Sequence, residues 1–412
     1  MIFWYNTIIK TYTLFISLFA KKNTKARAWA EEQRNLLLRI EKKIDTNVRY
    51  TWFHFASLGE FEQGYPVLQQ IKHKKPHSNI LITFFSPSGY QAHKNNALAD
   101  FVFYLPIDNE KNAKEFIRLI NPELAIFTKY EYWYYYFTEL KNNRIPLFVI
   151  SAIFRSKQPF FKWYGKLHRE MLGCVTHFFV QNIESKTLLE SLNIYNVTIS
   201  GDTRFDRVAQ NSDSPKLFPE IKEFCNHSNV CIAGSTWPDD ESLIVELVKQ
   251  YPDWKFIIAP HEINNKRISS LEKSLAGNAI RCSDYKLLKL EEQEVKKLEI
   301  QVLIIDNIGM LSSLYQYGNI AYIGGGFGVG IHNILEAAAF GLPIIFGPNY
   351  QKFQEAKDLI DRGGAKSINN LIELQQAFGY LTSHPETGEV CQQYVKQKIG
   401  ATEKILKIIL KN

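Results

Sequence analysis

From Tyr50 onward the chain alternates short runs of β-branched and aromatic residues with stretches of helical period, and no other feature narrows its possible folds as much. Strands separated by helices form βαβ units, which build a parallel sheet with helices on both faces. The runs lie at Tyr50–Phe55, Asn79–Phe85, Phe101–Tyr104, Leu124–Thr128, Leu147–Ile150 and His177–Val180, with helical segments such as Phe61–Lys72 and Asn112–Leu119 between them. The polar stretch Gln210–Pro215 interrupts the pattern and reads as a linker. The alternation then resumes at Val230–Ala233, Trp254–Ile258, Gln301–Ile305, Ile320–Ile323 and Pro343–Phe346. At 412 residues the chain is too long for one ordinary core. The expected fold class is α/β: two doubly wound Rossmann-like domains facing a cleft, over residues 31–209 and 216–393. Residues 1–30 precede them, and an amphipathic, Lys-rich helix within 394–412 follows, expected to pack on the body of the protein. Ligands of such sheets bind at the carboxyl ends of the strands, so the strand-to-loop transitions are where chemistry is sought.

A composition of 45% apolar and 22% charged residues excludes a disordered chain. No run of about 20 uninterrupted apolar residues occurs, which excludes a multispanning membrane protein. The net charge is +7, and residues 1–50 hold ten basic against four acidic side chains, so almost all the excess lies in the first eighth. A nucleic-acid binder spreads such charge over its folded surface; no nucleic-acid partner is expected. A localised basic segment suits an anionic membrane surface. Residues 1–20 are rich in Ile, Leu, Phe, Trp and Tyr, interrupted by Asn6 and Lys10, and Lys21, Lys22, Lys25 and Arg27 follow. That reads as an interfacial or marginally spanning anchor, or else as an exposed helix packing on the domain. Five scattered cysteines without metal-ligand spacing fit a reducing cytosolic setting.

Two constellations carry candidate chemistry. In Phe53-His54-Phe55-Ala56-Ser57-Leu58-Gly59-Glu60 a strand runs into a turn, and Glu60 opens the next helix. Gly59 is expected to allow a tight turn. Glu60 is expected to stay ionised at a helix N-terminus, ready to accept a proton from an attacking hydroxyl. The plainer reading is a capping residue of the first turn. The second runs from Tyr322 through Gly324, Gly325, Gly326, Gly328 and Gly330 to His332-Asn333-x-x-Glu336, followed by Gly341, Gly347 and Phe353-Gln354-Glu355. A glycine-rich turn feeding a helix that begins near His332 or Asn333 could hold phosphate on its backbone N–H groups, with Glu336 on ribose hydroxyls. The plainer reading is a structural turn.

Together these fragments resemble the 3-deoxy-D-manno-octulosonic acid (Kdo) transferases of lipopolysaccharide synthesis. The likeness continues through Ser86-Pro87-Ser88-Gly89, Tyr104-Leu-Pro-Ile-Asp108, Glu131-Tyr-Trp133, Gly201-Asp-Thr-Arg-Phe-Asp206, Gly234-Ser235-Thr236 and Ala259-Pro260-His261, in that order along the chain. The resemblance implies a GT-B type glycosyltransferase fold, with the acceptor on the N-terminal half and CMP-Kdo on the C-terminal half. It implies an inverting transfer of Kdo to a lipid A precursor, with Glu60 as general base and no metal or cofactor. The place of action would be the cytoplasmic face of the cell inner membrane.

By the same resemblance, Ser235, Thr236, His261, Arg204, Gly325, Gly326, His332, Asn333, Glu336 and Glu355 would serve the donor, and Ser57, Gly59, Ser88 and Glu131 the acceptor. Departures from the family pattern fall mostly in the acceptor half. Lys129 stands where an acid is usual, and Ser151-Ala152-Ile153 replaces Asn-Ala-Arg, with Arg155 two positions on. In the donor half the arginine expected beside His261 is missing, and Arg267 is a candidate substitute. The aromatic run Tyr130–Phe137 could line an acyl-chain or sugar site, or form a buried helix. Alternatives of other kinds are another GT-B nucleotide-sugar enzyme, such as a hexosamine transferase or UDP-sugar epimerase, and a non-catalytic membrane-docked nucleotide-binding protein.

Overall fold

A computed structural model of the protein describes residues 2–290 and 300–411. The chain divides into two compact units, Met1–Arg207 with Ile399–Asn412, and Val208–Lys398.

In the first unit, seven strands are β1 (Tyr50–Phe55), β2 (Asn79–Phe84), β3 (Phe101–Tyr104), β4 (Pro122–Thr128), β5 (Leu147–Ala152), β6 (His177–Val180) and β7 (Val197–Ile199). They form one parallel sheet in the order β3-β2-β1-β4-β5-β6-β7. Every residue of β1 is buried, as a central strand covered on both faces requires. Its side chains alternate. Tyr50 and Trp52 enter a core with Phe116, Phe127 and Tyr136, whereas Phe53 and Phe55 enter the opposite one with Val67, Leu68 and Ile71. The chain leaves β1 toward β2 and β3, then crosses to β4 on its other side. The carboxyl ends of β1 and β4 therefore flank the switch point, where doubly wound sheets bind ligands.

The second unit repeats the plan with β8 (Val230–Thr236), β9 (Lys255–Pro260), β10 (Ala279–Arg281), β11 (Val302–Ile304), β12 (Ile320–Ile323), β13 (Ile344–Phe346) and β14 (Ala365–Ser367). The order is β10-β11-β9-β8-β12-β13-β14, again parallel, and its switch point lies between β8 and β12. The sequence pattern missed β7, β10 and β14, each only three residues long.

Two boundaries differ from the expectation. Residues 210–213 of the supposed linker continue the helix Thr203–Asp213, because neither Gly nor Pro interrupts it before Pro215. The C-terminal segment is two helices, Glu386–Lys396 and Ala401–Ile409, separated by Gly400 at φ 103°. The last helix belongs to the first unit, where Ile405, Leu406 and Ile409 pack into the Phe53/Phe55 core. Asp206 fastens its start, accepting from the backbone N–H groups of Gly400 and Thr402 and from the Thr402 hydroxyl at 2.5, 2.6 and 2.6 Å.

The N-terminal helix Ile2–Phe19 has no buried residue. Phe3, Trp4, Ile8, Leu14, Phe15, Leu18 and Phe19 are all exposed. Among the described residues no helix is long and apolar enough to cross a membrane, which removes the marginally spanning reading. The opposite face meets the first unit. Tyr5 donates to the buried Asp108 carboxylate at 2.5 Å, and Tyr135 donates to Asn6 at 2.8 Å.

Candidate active site

Ser57 caps the helix Leu58–Lys74, and its hydroxyl accepts the Glu60 N–H at 3.4 Å. The Ser-x-x-Glu spacing is that of a capping box. Here, however, the Glu60 carboxylate turns back past the cap and accepts the Ala56 N–H at 2.7 Å. Glu60 thus lies at the carboxyl end of β1, only 8% exposed. Burial, followed by the Glu131 charge, pushes its pKa up to about 7. The expectation that the helix N-terminus keeps Glu60 firmly ionised therefore fails, because desolvation outweighs the dipole. A second correction concerns Gly59. It adopts ordinary helical backbone, and a Cβ there would meet nothing nearer than the Ser57 Oγ at 4.0 Å. Its missing side chain leaves open space next to Glu60, not a strained turn.

Glu131 follows β4 and is oriented by Trp133, whose indole N–H donates to Oε2 at 2.9 Å. Its other neighbour is His54, fully buried on β1, with Nε2 at 3.5 Å from the same oxygen. Thr83 accepts the Trp52 indole N–H at 2.8 Å and lies 2.8 Å from His54 Nδ1. The Thr83 hydroxyl also donates to the Phe53 carbonyl at 3.4 Å, so Thr83 ties His54 and Trp52 into the strand. Sequence reasoning passed over His54, whose only signal was an isolated histidine in an apolar strand.

Cations surround this pair. Lys129 holds φ 66° directly after β4 and, with the Ala56 N–H, favours the ionised form of Glu60. Arg155 hydrogen-bonds Tyr130, and Glu60 and Arg204 act on the same phenol. Arg204 also chelates Asp202, with Nε and a terminal nitrogen at 2.9 and 2.8 Å from Oδ2. Against the cost of burial, that guanidinium holds the Asp202 carboxyl below its usual range. Arg204, assigned by resemblance to the donor, is thus placed in the first unit beside Tyr130. Ser151 sits at φ 50° with its hydroxyl 2.8 Å from that of Thr203. Non-glycine residues at positive φ on two adjacent strand ends mark a site whose geometry the surroundings impose. Ser88 is exposed near the start of the helix Pro87–His93, 3.2 Å from its cap Ser86. The aromatic run divides: Tyr136 and Phe137 are buried helix, while Tyr130–Tyr135 stay partly open.

In the second unit the glycine run is mainly a packing device. The Gly325 N–H donates to the buried Asp240 carboxylate at 2.9 Å, which also accepts from Trp237 N–H and the Tyr322 hydroxyl at 2.9 and 2.8 Å. A Cβ on Gly324 or Gly326 would collide with the backbone of Ser235 or Gly347 at 2.3 and 2.6 Å. The Gly325 N–H is therefore engaged within the fold and is not presented to a phosphate. The following helix is Leu335–Ala339, so it starts two or three residues later than expected, and Glu336 lies in its first turn. Asn333 bridges it, donating to Glu336 Oε1 at 3.1 Å and accepting the Leu335 N–H at 3.2 Å.

Ser235 is held at φ 54° at the end of β8. Thr236 is fully buried and donates to Glu241 at 2.9 Å, so its hydroxyl is not offered to a ligand. Arg267 bonds the Thr236 carbonyl and Glu241 at 2.7 and 3.0 Å and lies over Trp237. His261 stacks on Trp237 and on His332, with ring centroids at 4.9 and 4.2 Å. Burial and then His261 push His332 down to about 4. Its Nε2 accepts the Trp237 indole N–H at 3.1 Å, so the neutral ring carries its proton on Nδ1. Glu355 is buried in the first turn of the helix Gln354–Asp361.

Residues 25–207 match the family model described as 3-deoxy-D-manno-octulosonic-acid transferase (kdotransferase). The chain is 27% identical over 331 residues to the 3-deoxy-D-manno-octulosonic acid transferase of Aquifex aeolicus, covering 78% of this chain and 83% of that one. It is 27% identical over 384 residues to the enzyme of the same name from Rickettsia bellii, covering 90% and 88%. Among solved structures it resembles the UDP-GlcNAc 2-epimerase of Neisseria meningitidis, with a TM-score of 0.62 at 17% identity over 88% of this chain and 100% of that one. It also resembles Acinetobacter baumannii MurG, with a TM-score of 0.54 at 12% identity over 88% and 100%. These structures share the GT-B fold.

Proposed function

We propose that the chain is a glycosyltransferase of the 3-deoxy-D-manno-octulosonic acid transferase family, as the match of residues 25–207 and the likeness to the Aquifex aeolicus and Rickettsia bellii enzymes support, and that it moves Kdo from CMP-Kdo to a lipid A precursor. Glu60 is the general base. The observation that carries this reading is the Glu60 carboxyl itself: buried at the switch point of the first sheet, held by the backbone N–H groups of Ala56 and Ser57, and poised near neutrality. A base with such a pKa is half ionised at neutral pH and holds an abstracted proton firmly. It takes the proton of a glucosamine hydroxyl as that oxygen attacks the anomeric carbon of Kdo. The carbon inverts, the bond to the CMP phosphate breaks, and CMP leaves with the electron pair. No metal is required.

Lys129, Arg155 and Arg204 supply positive charge for an anionic acceptor, and Glu131, Ser57 and Ser88 border the same region, with the open space at Gly59 receiving the sugar. In the second unit, Ser235, His261, His332, Asn333, Glu336 and Glu355 are assigned to the donor's nucleotide. The outward face of the helix 2–19, with the basic residues after it, rests on the anionic cytoplasmic surface of the inner membrane. Incubation with CMP-Kdo and a tetraacylated lipid A precursor, read by product mass, tests donor and acceptor together. A product heavier by one or more Kdo units is expected; an unmodified acceptor contradicts the reading.

A further inference from the structure

The helix 2–19 has an inward face as well as an outward one, and that face reaches the acceptor region. The Tyr12 ring is stacked on Phe85, with centroids 6.0 Å apart and planes at 26°, and meets the buried Trp29 edge-on at 6.5 Å. Phe85 lies 5.1 Å from Trp133, which donates its indole N–H to Glu131 at 2.9 Å. Three separate segments thus form one aromatic row: the N-terminal helix, the end of β2, and the loop after β4. Each aromatic contact contributes geometry as well as buried area. The helix cannot slide along this row, because Tyr5 and Asn6 pin it to Asp108 and Tyr135. Tyr12 is 43% exposed, so the rest of its ring borders open space.

We propose that Tyr12 is a positioning residue of the transfer site: by holding Phe85 and Trp133 it fixes the orientation of Glu131 beside Glu60. The inference rests on the transferase reading above. It gives the membrane-facing helix a second role, as part of the wall that shapes the site. The groups facing Glu131 are His54 from β1, Glu60 from the helix 58–74, Tyr132 and the Trp133 indole from the loop after β4, and Tyr12, whose hydroxyl is raised by burial and then by Glu131. When Tyr12 is lost, Trp133 and Glu131 gain freedom. Glu60 then loses a fixed neighbour.

The test compares the full-length wild type, Tyr12→Ala and Tyr12→Phe. Transfer is measured with acceptor dispersed in detergent, so that vesicle docking is not needed. Tyr12→Ala is expected to lower kcat by about tenfold or more, to move the acid limb of its pH profile, and to leave binding to anionic vesicles unchanged. Tyr12→Phe keeps the ring and is expected to restore kcat. Amide hydrogen exchange supplies a readout independent of turnover: segment 129–133 is expected to exchange faster in Tyr12→Ala and at the wild-type rate in Tyr12→Phe. Wild-type kcat and wild-type exchange in Tyr12→Ala would overturn the proposal. A wild type that transfers no Kdo would overturn the reaction instead, while the exchange comparison still decides the role of Tyr12.

Discussion

Glu131 and Glu60 stand close enough at the carboxyl ends of adjacent strands that the charge on one raises the pKa of the other, second only to burial. A carboxyl raised by burial and by a neighbouring charge is set apart for a distinct role. Trp133 and His54 flank Glu131, whereas Glu60 is held by the backbone N–H groups of Ala56 and Ser57. Glu60 is therefore the group able to exchange a proton at neutral pH.

With Glu60 raised to about 7, kcat/KM is expected to increase with pH through that value, because only the carboxylate accepts the hydroxyl proton. Removing the like charge in Glu131→Gln should shift this acid limb to lower pH by a fraction of a unit up to about one unit. A pH–rate profile of both proteins checks the sign. A limb that moves upward contradicts the assigned coupling.

The same burial has a stability consequence. The folded pKa of Glu60 lies above its unfolded value, so the folded state holds the proton more tightly. The resulting loss accrues as pH rises from about 4.5, where the unfolded chain ionises, to about 7, where the folded state does. Glu60→Gln removes the penalty and is expected to be more stable than wild type at about pH 8, by up to about 3 kcal/mol, with the gap closing near pH 4.5. Denaturant melts at the two pH values measure it. Equal stability at alkaline pH contradicts the burial argument.

Much of this was legible in the sequence, and the failures have physical causes. β1, β3, β6 and β12 ended where the pattern placed them, since each reads as a nearly continuous run of apolar and aromatic residues. The three-residue strands β7, β10 and β14 are too short to show a period. Glu60 was visible as a helix-opening acid, but its pKa depends on Glu131, seventy-one positions away and brought near by the β1–β4 pairing. The Gly325 N–H appeared free for phosphate because nothing local announces that Asp240 occupies it. Thr236 misled in the same way through Glu241.

His332 offers a ligand an Nδ1–H and not a positive charge. The CMP affinity of wild type relative to His332→Ala is therefore expected to stay constant between about pH 5.5 and pH 8, with the variant weaker by about 1 kcal/mol. Calorimetric titration with CMP decides this. A ratio that grows toward acid pH means that His332 binds as a cation. Glu336→Ala is likewise expected to weaken CMP while leaving acceptor binding intact.

Asp206 satisfies three donors at the start of the last helix. Asp206→Ala leaves two backbone N–H groups unpaired at the helix start and is expected to cost about 1–3 kcal/mol of unfolding free energy. Ile405→Ala should cost about 2–5 kcal/mol by opening a cavity against Phe53 and Phe55. Urea melts of the two variants test whether the C-terminal helix is integral to the first unit. Wild-type midpoints for both contradict it.

The assignment of Glu60 as general base is tested most directly by turnover of Glu60→Gln with CMP-Kdo and a lipid A precursor, alongside CMP titration of the same protein. Wild-type CMP affinity, an intact fold, and a transfer rate lower by roughly 100-fold or more are expected. Unchanged turnover in a folded Glu60→Gln variant would contradict that assignment.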